Sequence, residues 1–145
     1  MDVTYLLDTN VCIKILNSSN SSVNQRLLST PKDNIRLCTI VYSELYYGVC
    51  RSTQFQKNLN KINGFFDEFI VVPFDMQSAK VAGEIRAQLA MAGNPIGAND
   101  LLIAAIAIAH SLTLVTHNTR EFGRIEQLAY GHIEKKKKLS PQGKM

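Results

Sequence analysis

The sequence predicts an α/β fold: an α/β/α sandwich around a mainly parallel sheet of four or five strands. Three observations carry this. Short apolar runs rich in β-formers alternate with segments of helical periodicity. Most of these runs are followed by polar residues suited to capping a helix. One segment, residues 100–110, is apolar on every side, as expected of a helix buried against a sheet face. Strands that alternate with helices form parallel sheets covered on both faces.

The elements follow in chain order. Residues 3–7 are too few for a helix and read as the first strand. Asp8, Thr9 and Asn10 interrupt it with capping groups, and residues 11–16 read as a short helix. After a polar turn at residues 17–22, residues 23–28 are expected to be helical. Residues 35–39 form the second strand. A helix over residues 41–49 carries Glu44 and is expected to close near Gly48. Phe55, Leu59, Ile62, Phe66 and Phe69 recur at steps of four and three, one face of the next helix. Residues 69–72 are a third strand, stopped by Pro73. Asp75 caps a helix that buries Ala82, Ile85 and Leu89 and ends at Gly93-Asn94-Pro95. Asn99 is read as the cap of the apolar helix 100–110. Residues 112–116 make the fourth strand, and residues 128–133 a fifth, at the edge.

At 145 residues the chain is one ordinary domain. Its 46% hydrophobic and 19% charged residues exclude a disordered or collagen-like chain. The longest apolar run, residues 101–109, is nine residues, far short of the roughly 20 that span a membrane. The N-terminus opens with Asp2 and lacks the sections of a secretory signal, so a cytoplasmic location is expected. The net charge of +4 is local. Lys135, Lys136, Lys137, Lys138 and Lys144 face a single acid, Glu134, and residues 1–133 carry equal numbers of basic and acidic groups. The chain therefore divides into a neutral domain, 1–133, and a lysine-rich tail, 134–145. The tail is either a solvated terminus or an electrostatic arm for polyanions. Cys12, Cys38 and Cys50 form no C-x-x-C pair; all three lie among apolar neighbours and are expected to be buried.

Open α/β sheets place their sites at the carboxyl ends of the strands. Four residues gather there: Asp8 after the first strand, Glu44 on the helix leaving the second, Asn118 past the fourth, and Asp100 in the first turn of the apolar helix. Singly, each has a plainer reading as a cap, a surface residue or a turn former. Together, set among apolar neighbours, carboxylates are costly unless paired or bound to a cation. An all-oxygen, carboxylate-rich site suits Mg2+ or Mn2+ and not Zn2+. His110, His117 and His132 offer no metal-ligand spacing; His110 is expected at a helix end and His117 at the rim of the site. Hard cations held by carboxylates position phosphates and activate water, so phosphodiester hydrolysis is the reaction class indicated. An aspartyl phosphatase would want a second acid at position 10, which is Asn10. A nucleotide-binding loop would want glycines after the first strand, where none occurs.

LLDTNV (residues 6–11), YSELYYGV (42–49), IGANDLLIAA (96–105) and LVTHNTREFGRI (114–125) resemble, in order, the conserved blocks of PIN-domain proteins, especially the VapC toxins of bacterial toxin–antitoxin pairs. The resemblance implies a Mg2+- or Mn2+-dependent endoribonuclease, often acting on tRNA and leaving a 5′-phosphate, and neutralised by a VapB antitoxin. By motif, Asp8, Glu44 and Asp100 match the three acidic positions, Asn118 a fourth that is Asp or Asn, and Thr9 a hydroxyl residue beside the first acid. On this reading Asp8 and Asp100 hold the metal directly. Glu44 binds through water or orients the attacking water, and Thr9 and Asn118 keep ligands and waters in place. A homodimer within a toxin–antitoxin complex is expected, its antitoxin groove on the early helices among Val11, Ile15, Tyr46 and Tyr47, unless these are simply core. Two alternatives stand beside the nuclease: an antitoxin-binding, promoter-repressing module with weak or lost catalysis, and a structural α/β domain with unrelated acids.

Overall fold

The computed structural model describes residues 3–18 and 22–131, the side chain of Val23 excepted. The proposed boundary at residue 133, the lysine tail and His132 lie outside the described residues.

Five short strands build one sheet: β1 (Tyr5–Leu7), β2 (Ile35–Cys38), β3 (Ile70–Val72), β4 (Thr113–Val115) and β5 (Tyr130–Gly131). Their order is β3-β2-β1-β4-β5, and each neighbouring pair is parallel. The first strand in sequence is thus the central one. Tyr5 pairs with Ile35 on one side and with Thr113 on the other. All three β1 residues are buried, as the continuous apolar character of a two-sided strand requires. The edges are shorter or wetter: Ile70 and Val71 of β3 are exposed.

Among the described residues seven α-helices accompany the strands: α1 (Thr9–Asn17), α2 (Ser22–Leu28), α3 (Thr39–Arg51), α4 (Phe55–Phe66), α5 (Met76–Met91), α6 (Ala98–Ala109) and α7 (Thr119–Phe122). Asp8 caps α1 by accepting the Val11 N–H at 2.9 Å, and Asp75 caps α5 through Ser78. The apolar α6 buries Leu101 and residues 103–107, as its sequence required. None of the described helices is long and apolar enough to cross a membrane.

Four local expectations need correction. Gly48 does not end α3, which runs on to Arg51; Gly48 is exposed, and the burial of Val49 beyond it outweighs the modest helix cost of glycine. The helical face of α4 stops at Phe66; Phe69 instead packs edge-on against Phe65, 5.3 Å between ring centres. The cap of α6 is Gly97, so Asn99 lies inside the first turn and its amide is free for another partner. Cys12 and Cys38 are fully buried, but Cys50 is exposed near the end of α3. Helix α7 has no counterpart among the expected elements, because its four residues are too few to show a period. It folds back on β5 because residue 123 is glycine: a β-carbon there would stand 2.7 Å from the Thr119 carbonyl and 2.9 Å from the Tyr130 hydroxyl.

Candidate active site

Asp8 sits at the carboxyl end of the central strand, its own N–H held by the Val115 carbonyl at 3.2 Å. Its side chain is almost wholly buried. Burial pushes its carboxyl above the usual range. Hydrogen bonds from Thr116 and the Val11 amide, with the nearby His117, pull it down, while Glu44 adds to the rise. Thr116 directly follows β4 beside it, fully buried, and also accepts the Asn118 N–H at 2.9 Å.

Glu44 lies in the second turn of α3. The Thr9 hydroxyl donates to its Oε1, and the Asn99 amide donates to Oε2 at 3.0 Å. Those two donors neighbour Asp8 and Asp100 respectively, so Glu44 ties the starts of α1 and α6 together. Asp100, in the first turn of α6, accepts the Asn118 amide at 3.4 Å. Its carboxyl is pushed up to about 6, first by burial, then by a hydrogen bond and charge from Glu121, then by the charges of Asp8 and Glu44. The four residues singled out in the sequence, Asp8, Glu44, Asp100 and Asn118, therefore meet at one rim of the sheet.

Three further residues belong to this rim. Glu121, on α7, presses on Asp100 and accepts the Gly97 N–H at 3.5 Å. A signal for it exists: Glu121 follows the end of β4 by the same interval as Glu44 follows the end of β2. Thr116 follows the apolar end of β4 at the level of Asp8. Asn99, read as a cap, is instead a clamp on Glu44. His110 is at the end of α6, 3.0 Å from Asp75, and takes no part. Behind the rim, burial pushes the thiols of Cys12 and Cys38 up, the latter to about 11; neither is a nucleophile at neutral pH.

Among the described residues no three His, Cys, Asp or Glu side chains enclose an ion by themselves. The donors still fit a small hard cation. They are all oxygens, and burial and neighbouring negative charge push their carboxyls up, a rise that a cation would oppose. Mg2+ keeps several waters and needs only one or two carboxylates; Asp8 and Asp100 are the two at this rim that would hold it.

The PIN domain model matches residues 5–128. Ribonuclease VapC2 of Rickettsia felis is 39% identical over 132 residues, covering 90% of this chain and 98% of the relative. The tRNA(fMet)-specific endonuclease VapC of Shigella flexneri is 36% identical over 121 residues, covering 83% and 91%. Among solved structures, VapBC2 from Rickettsia felis bound to a promoter DNA fragment superposes with a TM-score of 0.81 at 36% identity, covering 91% of this chain and 100% of that one. DNA-bound VapBC from Salmonella typhimurium gives 0.84 at 33%, covering 89% and 97%. Fold, sequence and the acidic rim agree: the chain belongs to the PIN domain family.

Proposed function

We propose that this protein is the ribonuclease toxin of a VapBC-type toxin–antitoxin pair, hydrolysing RNA phosphodiester bonds with Mg2+ or Mn2+. The observation that carries the reading is the meeting of Asp8, Glu44, Asp100 and Glu121 around one strand end. Relatives named ribonuclease and tRNA(fMet)-specific endonuclease support the substrate class and make tRNA the first RNA to test.

Asp8 and Asp100 would hold the cation, which supplies a polarised phosphate and a more acidic water. Glu44, fixed by Thr9 and Asn99, orients the attacking water, and its two donors keep it from swinging. Thr116 and Asn118 hold Asp8 and Asp100 in place. No side chain needs to act as a nucleophile. The purified protein should cut RNA with Mg2+ or Mn2+ and stop in chelator. Cutting that persists in chelator would sink the metal reading.

Asn118 is a tunable position. Asn118→Asp adds a fifth carboxylate to the rim, beside Asp100, and ligand charge raises affinity for hard cations. Half-activation by Mn2+ should move to lower concentration, by about tenfold. An unmoved titration would place Asn118 outside the metal's surroundings.

The antitoxin, a VapB-like chain in the related complexes, would bring a basic side chain to the carboxylates and an apolar segment to the early helices. A groove of about 280 Å3 between α1, α3 and α4 suits that segment. Ile13, Leu16, Leu45 and Ile62 line it, with Lys61 among them. None of the four residues anticipated for an antitoxin groove lines this one. Val11 is core, Ile15 packs against the core, and Tyr46 and Tyr47 are outside its lining. We also propose that the toxin acts as a homodimer within that complex.

A further inference from the structure

Helix α3 carries more than Glu44. Tyr47 and Arg51 follow it at steps of three and four, so the three residues form one stripe along the helix. Seven residues of helix span roughly 10 Å, a nucleotide or two along an extended strand. Tyr47 is 63% exposed, which leaves a large ring facing water one turn from the acidic rim. Helical side chains lean toward the N-terminus of their helix, the direction in which Glu44 lies from Tyr47.

The ring is also held. The Arg51 guanidinium donates to the Tyr47 hydroxyl at 3.0 Å, and its carbon lies 5.8 Å from the ring centre. Among the described residues Arg51 makes no ion pair, so a cation with further N–H groups to spare stands beside an exposed π-face. A flat ring takes a base by stacking, and a guanidinium takes a phosphate through paired hydrogen bonds. Neither residue lines the groove between α1, α3 and α4.

We propose that Tyr47 and Arg51 form a subsite for single-stranded RNA. Tyr47 stacks on an unpaired base next to the scissile phosphate, and Arg51 grips the phosphate beyond it. The subsite deepens the ribonuclease reading and rests on it. It selects unstacked segments, loops and ends, over duplex. Helix α3 then serves twice, with Glu44 at the chemistry and with Tyr47 and Arg51 in choosing where it happens.

The test uses the full chain carrying Asp100→Asn, so that RNA is bound but not cut. Single-stranded RNA oligonucleotides carrying one 2-aminopurine, moved position by position, report stacking by quenching, and anisotropy reports affinity. With Tyr47 intact, quenching should peak at one position. Tyr47→Leu should abolish that peak and weaken binding roughly 5- to 100-fold. Tyr47→Phe should keep both, and Arg51→Gln should weaken binding and flatten its salt dependence. In the otherwise wild-type chain, Tyr47→Leu should raise KM for RNA more than it lowers kcat. Unchanged binding and quenching in Tyr47→Leu would overturn the subsite alone. A Tyr47→Leu protein that binds RNA normally but changes its oligomeric state or loses its antitoxin would assign the surface to a protein contact and overturn it too. If the Asp100→Asn chain binds no RNA and the wild-type chain cuts none, the ribonuclease reading falls and the subsite with it.

Discussion

Asp100→Asn should abolish RNA cleavage, by at least about a hundredfold, and leave a protein at least as stable as the parent. The substitution keeps the shape of the side chain and its neighbour Asn118 while removing a negative charge from beside Asp8, Glu44 and Glu121. The size of the stability change depends on pH. In the metal-free fold Asp100 keeps its proton up to about pH 6, whereas an unfolded chain releases it near 3.8. Between those values the folded state binds more protons, so its stability falls as pH rises through the window. The variant lacks that fall. Its melting temperature should exceed the parent's above pH 6, by a few degrees at most because Asp100 is only half-buried, and match it below pH 4. Thermal melts in chelator across that range check the claim. A variant that cuts RNA at the parental rate, or one that is less stable at neutral pH, would refute the role given to Asp100.

Asp8 should separate two functions that one side chain performs. It is a charged oxygen at the rim and the cap of α1. Asp8→Asn keeps an oxygen for the Val11 N–H and removes the charge; cleavage should disappear, again by at least about a hundredfold, with the fold intact. Asp8→Ala removes both. It should lose cleavage equally and, relative to Asp8→Asn, cost about 0.5–2 kcal/mol in urea unfolding. Equal stability of the two variants would mean that the cap contributes nothing. Residual cleavage in Asp8→Asn near the parental level would mean that the charge is dispensable.

How far the site is legible in the sequence depends on the length of the element that carries each residue. Asp8, Glu44 and Asp100 lie at or within two turns of the starts of helices long enough to be read from capping residues or apolar runs, and the strand-end rule then brings them together. Asn118 follows β4 closely enough for the same rule. Glu121 escapes because α7 is a single turn, and its partnership with Asp100 is made by tertiary packing alone. Thr116 escapes because a threonine at a strand end looks like a β-former. Asn99 differs from its expected place by two residues of helix boundary: Asn is a favoured cap, but the chain enters α6 at Gly97. In the fold, the alternation of strands and helices is sufficient for the layers and the parallel sheet. The strand order, with the N-terminal strand in the middle, follows from long-range pairing that no local pattern encodes.

That central placement has a consequence for synthesis. β1 completes its hydrogen bonding with β4 at residues 113–115, and Asp8 is fixed by the Val115 carbonyl. Contacts so distant in sequence close late in folding, and on the ribosome they wait for the chain to be made. A nascent chain can form β1 and β2 early, yet Asp8 meets Asp100, Thr116 and Glu121 only when nearly all of the domain has emerged. A chain that ends before residue 121 therefore lacks part of the acidic rim. The order of the strands thus ties completion of the acidic rim to completion of the domain.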